Sequence, residues 1–132
     1  MRVKPALLVL AVFAGAVAAA LAQSAEPLSY ARDVEPIFAK ECGDCHGADN
    51  PKKGLDLSAS KGRAAMVGRP SKEVPEVLMV VAGDPDNSYL WHKLMHTSKE
   101  GKGMPRTIFG AKKLPQEQLD LIKRWIEEGA QP

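Results

Sequence analysis

Cys42-Gly43-Asp44-Cys45-His46 holds the only two cysteines of a 132-residue chain, and no other stretch limits so tightly what the chain can fold into. Two thiols three positions apart, with an imidazole directly behind the second, have few chemical uses. They can form a redox dithiol, half of a zinc site, a small disulfide ring, or a site that captures a bound group. Each use demands a different context, so the surrounding sequence has to choose among them.

The N-terminus sets the compartment. Arg2 and Lys4 precede a run from Ala6 to Ala22 that carries no charge, and Ala20 and Ala22 bracket Leu21 in the small-x-small pattern of a cleavage site. Residues 1–22 therefore read as a signal peptide removed before Gln23, with Ser24-Ala25 offering a slightly later site, and residues 23–132 as a single exported domain, periplasmic in location. The run is short and alanine-rich against the roughly 20 apolar residues that span a bilayer. A membrane attachment is expected only if this segment stays uncleaved.

Charge excludes one large class of partners. The chain has 18 Lys and Arg against 16 Asp and Glu, and loss of Arg2 and Lys4 with the signal leaves the two equal. A nucleic-acid binder needs a basic excess to neutralise phosphates, so no nucleic acid is expected. The distribution is uneven. Glu26 to Asn50 is acidic, whereas Lys99, Lys102, Arg106, Lys112 and Lys113 crowd one later segment.

Apolar spacing predicts helices joined by loops. Val34, Ile37 and Phe38 recur at helical intervals, with Asp33 as expected N-cap, Pro36 in the first turn and Cys42 at the end. Lys61 to Pro75 has little periodicity. Val77 to Val81 is a short apolar run that fits a strand or a buried extended segment equally well. "GDPDNS" signals a turn, and Asn87 or Ser88 can cap a short helix with Leu90 over Leu94 and Trp91 over Met95. Between Pro115 and Glu128, Leu119, Ile122 and Ile126 line one face, Leu121 and Trp125 widen it, and Gly129 stops the helix.

In that context the uses of the motif separate. A thioredoxin-like dithiol sits between a strand and a helix of an α/β unit, yet a helical pattern precedes Cys42. Structural zinc wants four ligands, and no second cysteine pair completes the set; His92 and His96 share a helical face but stand alone. A disulfide across two intervening residues is a tight ring. Only the covalent haem attachment pattern of c-type cytochromes uses Cys42, Cys45 and His46 together, the cysteines as thioether anchors and the histidine as proximal iron ligand. Attachment takes place outside the cytoplasm, in agreement with the signal peptide. One motif predicts one covalent haem c.

In order, "DVEPIFAKECGDCHG", "GLDLS", "GDPDNSYLWHKL", "GMP" and "LPQEQLDLIKRWIEEGA" resemble the planctomycete-type cytochrome c domains, small bacterial c-type cytochromes. Ser58 to Ala82 departs from that pattern. The resemblance implies an all-α fold wrapped round a single haem, with a methionine on the distal side.

The distal ligand has several candidates: Met66, Met79, Met95, Met104, His92 and His96. Met104 is favoured, because "KGMPRTIFG" is a Gly- and Pro-punctuated loop that can present a thioether, whereas Met79 and Met95 lie in apolar patterns suited to core filling. With His46 and Met104 both bound, the iron has no open position. The chain then reads as a one-electron carrier rather than an enzyme; the alternative is a peroxidase-like enzyme or ligand sensor with an open or labile sixth position. Phe38 and Trp125 are expected walls for the haem, and the basic group Lys99, Lys102, Arg106, Lys112 and Lys113 an expected docking patch for redox protein partners.

Overall fold

Ser29 begins the helical part of the chain. Its hydroxyl accepts the Arg32 amide at 3.2 Å while its own amide donates to the Asp33 carboxylate at 2.8 Å, so donors at the helix start are satisfied reciprocally. The expected cap, Asp33, thus acts from inside the first turn, and the extended Ser29 takes the cap position. The computed structural model, which describes residues 26–132, continues through a π-turn, Tyr30–Val34, into helix α1, Glu35–His46. Residues 1–22, the expected signal peptide, lie outside the described residues. The Glu35 amide bonds back to the Tyr30 carbonyl. This wider turn absorbs Pro36, which has no amide proton to give and whose ring crowds the carbonyl four residues earlier. Helix α1 then runs beyond Cys42, its expected end, so that the whole motif rides on its last turns.

The Asp56 carboxylate of "GLDLS" accepts hydrogen bonds from the Ser58 hydroxyl and amide and from Lys61, and these hold it at a pKa of about 2. The turn leads into helix α2, Gly62–Met66, which the weak periodicity of its segment does not announce. Val77 to Val81 is extended. Met79 donates to the Arg69 carbonyl at 2.7 Å and Ser71 to that of Val77 at 2.8 Å, without forming a regular strand. In "GDPDNS" the Asp84 carboxylate accepts the Asn87 amide, and the Ser88 hydroxyl donates to the Asp84 carbonyl at 2.7 Å. Ser88 stands at the N-cap of helix α3, Tyr89–Met95, but its hydroxyl serves the turn.

The chain is mostly helical, with one departure from the all-α expectation. Strands β1, Arg106–Thr107, and β2, Gly110–Ala111, form an antiparallel hairpin. Two-residue strands carry no alternation that a sequence can display. Helix α4, Gln116–Glu127, buries Leu119, Ile122, Trp125 and Ile126, while Leu121 is only partly covered, and Gly129 at φ +96° lets the chain leave the helix. No helix among the described residues is long and apolar enough to cross a membrane.

The two ends of the domain close on each other. The Tyr30 ring packs between Phe38 of α1 and Trp125 of α4, at centroid distances of 6.2 and 5.6 Å. The Gln131 carbonyl accepts both the Tyr30 amide, at 3.0 Å, and the Trp125 indole N–H, at 2.8 Å. Trp125 is therefore a core residue of this clasp.

Buried Gly62 faces Tyr30. A Cβ there would overlap the Tyr30 hydroxyl and lie 3.3 Å from the Leu57 α-carbon, and that buried hydroxyl has no hydrogen-bond partner. Gly62→Ala is expected to lower unfolding free energy by about 1–3 kcal/mol through overpacking. Tyr30→Phe, which removes an unpaired hydroxyl, should leave stability unchanged or raised and should recover part of the loss in the double variant. Denaturant unfolding of the three proteins checks this; equal losses for Tyr30→Phe and Gly62→Ala would contradict it.

Candidate functional site

Helix α1, the loop that follows it, the extended segment ahead of α3, α3 itself and the Met104 loop enclose a cleft of about 140 Å³ that is partly open to solvent. Its wall is predominantly apolar, including Phe38, Leu55, Leu57, Met79, Leu90 and Leu94. That character suits a predominantly apolar ligand with few polar groups. Phe38 lines it, as expected; Trp125 does not.

The structure brings Cys42, His46 and Met104 to this one cleft. Cys45, half-buried on the same helical turn, is a free thiol like Cys42 and is not among the lining residues. Burial, with Glu41 and Cys45 adding to it, pushes the Cys42 thiol up to about 12. A thiol so held is protonated at neutral pH, unlike the exposed, low-pKa thiolate of a redox dithiol. Among the described residues no group of three or more His, Cys, Asp or Glu side chains could hold a metal ion.

His46 is oriented by the loop it precedes. Its Nδ1 lies 3.2 Å from the Leu55 carbonyl. A carbonyl only accepts, so Nδ1 carries the proton and Nε2 keeps its lone pair. Burial lowers the His46 pKa against the smaller opposing effects of the Leu55 and Lys52 backbone, which favours the neutral ring. A neutral imidazole with one nitrogen donating to a backbone carbonyl and the other uncommitted is the usual state of a metal-ligating histidine.

Met104 is held by its backbone. Its amide donates to the Lys93 carbonyl at 2.9 Å, and its carbonyl accepts from His96 Nε2 at 3.1 Å. The His96 ring packs against Gly103, where a Cβ would overlap it. The rival candidates are placed differently. Met66 is buried in the core and Met95 packs against it, away from the cleft lining. His92 bonds to the Asp86 carbonyl and the Thr97 hydroxyl. Of the rivals only Met79 shares the cleft.

Polar groups gather on the cleft that periodicity and motif did not single out. Lys53, Lys72 and Lys93 line it with Glu73 and Tyr89. Lys93 is buried and donates to Glu73 at 2.7 Å, and the Tyr89 hydroxyl donates to the same oxygen at 2.9 Å. The bond from Lys93 holds the Glu73 carboxyl below the usual range. These residues come from separate segments, so no local pattern could reveal them.

No curated protein and no solved structure matches the chain. Residues 42–106, from the first cysteine to the start of β1, match the family model described as Planctomycete cytochrome C, and that match supports a cytochrome c-like domain.

Proposed function

We propose that the protein is an exported one-electron carrier, or an electron-transfer subunit, that binds a single haem c in the cleft with His46 and Met104 as axial ligands. One observation carries the reading: Cys42, His46 and Met104, which begin and nearly end the matched segment, line the same apolar cleft. Haem c supplies one-electron chemistry through its iron, at a potential that thioether ligation raises.

The chain's own residues divide the remaining work. Cys42 and Cys45 anchor the macrocycle. His46 offers Nε2 because the Leu55 carbonyl engages Nδ1, and Met104 offers its thioether from a loop tied down through His96 and the Lys93 carbonyl. The apolar wall excludes water and lowers the dielectric around the iron. Two protein ligands leave no position for a substrate.

The reading extends to partners. Lys99, Lys102, Arg106, Lys112 and Lys113 are all exposed, and β1 begins two residues beyond Met104. Between Arg106 and Lys112 the hairpin tip carries Ile108 and Phe109, 93% and 94% exposed. An exposed apolar tip flanked in the chain by exposed cations suits an acidic redox protein, steered by charge and held by a small apolar contact.

Three outcomes are expected. Cys42→Ser or Cys45→Ser sharply lowers covalent haem, and the double variant abolishes it, as read by haem staining after denaturing electrophoresis; undiminished stain in the double variant overturns the attachment. Met104→Ala gives a carbon monoxide-reactive, partly high-spin protein of lower potential; the same change in Met79→Ala but not Met104→Ala moves the ligand. The bimolecular electron-transfer rate with an acidic partner falls as ionic strength rises and falls again in Lys102→Glu with Lys112→Glu. A rate indifferent to both removes the patch from docking.

A further inference from the structure

The cleft is apolar over most of its wall, yet three lysines reach it and only one acid does. That acid is already engaged: Glu73 Oε2 takes hydrogen bonds from buried Lys93 and from Tyr89, and the pair lies against the Gly101 α-carbon, where a Cβ would sit 2.6 Å from the Lys93 ammonium and 2.7 Å from the carboxylate. Lys53 and Lys72 form no ion pair among the described residues. Both line the cleft. The Lys72 ammonium stands over Gly54, the residue after Lys53, in the space a Cβ would fill, and Gly54 holds φ +66°. The charge of Lys53 also reaches Glu73 and helps to lower its pKa.

Three cations and one anion leave the cleft two positive charges in surplus. Lys53 and Lys72 are exposed at the cleft, and neither is paired with a carboxylate among the described residues, whereas Lys93 is buried and paired. The two unpaired lysines are stabilised by a ligand that is apolar over most of its surface and carries two negative charges. A haem has that form, a flat apolar macrocycle with two carboxylates on one edge. We propose that Lys53 and Lys72 are the anion-binding end of the cleft and take the two haem carboxylates, while Lys93 and Tyr89 tie Glu73 back so that it does not oppose them. This rests on the reading that the cleft holds haem c.

The test is the midpoint potential of the purified holoprotein measured across pH, for the native chain, Lys53→Gln, Lys72→Gln, the double variant and Lys72→Arg, with Lys123→Gln on α4 as control. Cations beside the haem disfavour ferric iron and keep the carboxylates ionised. Each Gln variant should therefore lower the potential and move its carboxylate-linked step to higher pH, the double variant more than either single. Lys72→Arg should restore the native curve and Lys123→Gln should not alter it. The groups facing that end are Glu73, Tyr89 and Lys93, so the step must survive in Glu73→Gln. A step lost in Glu73→Gln, or a native curve in the Lys53→Gln, Lys72→Gln double variant, overturns the anion site and leaves covalent haem untouched. Native protein without covalent haem overturns the earlier reading instead.

Discussion

The hydrogen bond between His46 Nδ1 and the Leu55 carbonyl governs the site. It selects the tautomer, sets the ring plane and leaves one nitrogen lone pair free. The bond exists because the chain doubles back after α1, and the same loop is pinned a second time where the Leu57 amide meets the His46 carbonyl at 2.7 Å. Helix α1 alone could carry the thiols and the imidazole to one end, but only the returning loop aims the imidazole. The Asp56 turn follows directly and keeps that loop short.

Against this rigid wall stands one built differently. Met104 belongs to no helix or strand, and its position comes from two backbone contacts, to the Lys93 carbonyl and to His96. His96, a rival for the iron in the sequence, is a positioning residue here. It closes α3 in the left-handed region, at φ 61°, and this directs the ring onto Gly103. The Glu73–Lys93 pair braces the same region by joining α3 to the loop before the extended segment. Since Lys93 is buried, removing Glu73 leaves an uncompensated charge, which costs far more than the loss of an exposed pair.

What the sequence made legible follows the range of each interaction. The Cys42-Cys45-His46 motif is complete within five residues, so it stands out without any knowledge of the fold. Helix α4 repeats its apolar residues over three turns, and periodicity found its buried face. Glycine and proline around Met104 mark a loop, and the structure places that residue on the cleft. The Ser29 cap was misplaced to Asp33 because both residues take part and only geometry tells which stands outside the helix. Helix α2 and the hairpin are too short for any period to register. Trp125 is expected at the cleft as one of few aromatic residues, but its indole N–H needs an acceptor and finds one in the Gln131 carbonyl. Lys53, Lys72, Glu73 and Lys93 meet only through tertiary folding, and no residue spacing foretells them.

The contrast between the two walls has a kinetic side. The contacts that aim His46 close loops of nine and eleven residues, whereas Met104 can reach the cleft only after α2, the extended segment and α3 have assembled between them. Loop entropy grows with the length closed, and contacts distant in sequence form later. A folding chain therefore passes through a stage in which the thiols and imidazole are already arrayed on one surface while the opposite side is open. At that stage the cleft is accessible along a whole side, whereas in the complete domain it is open only in part.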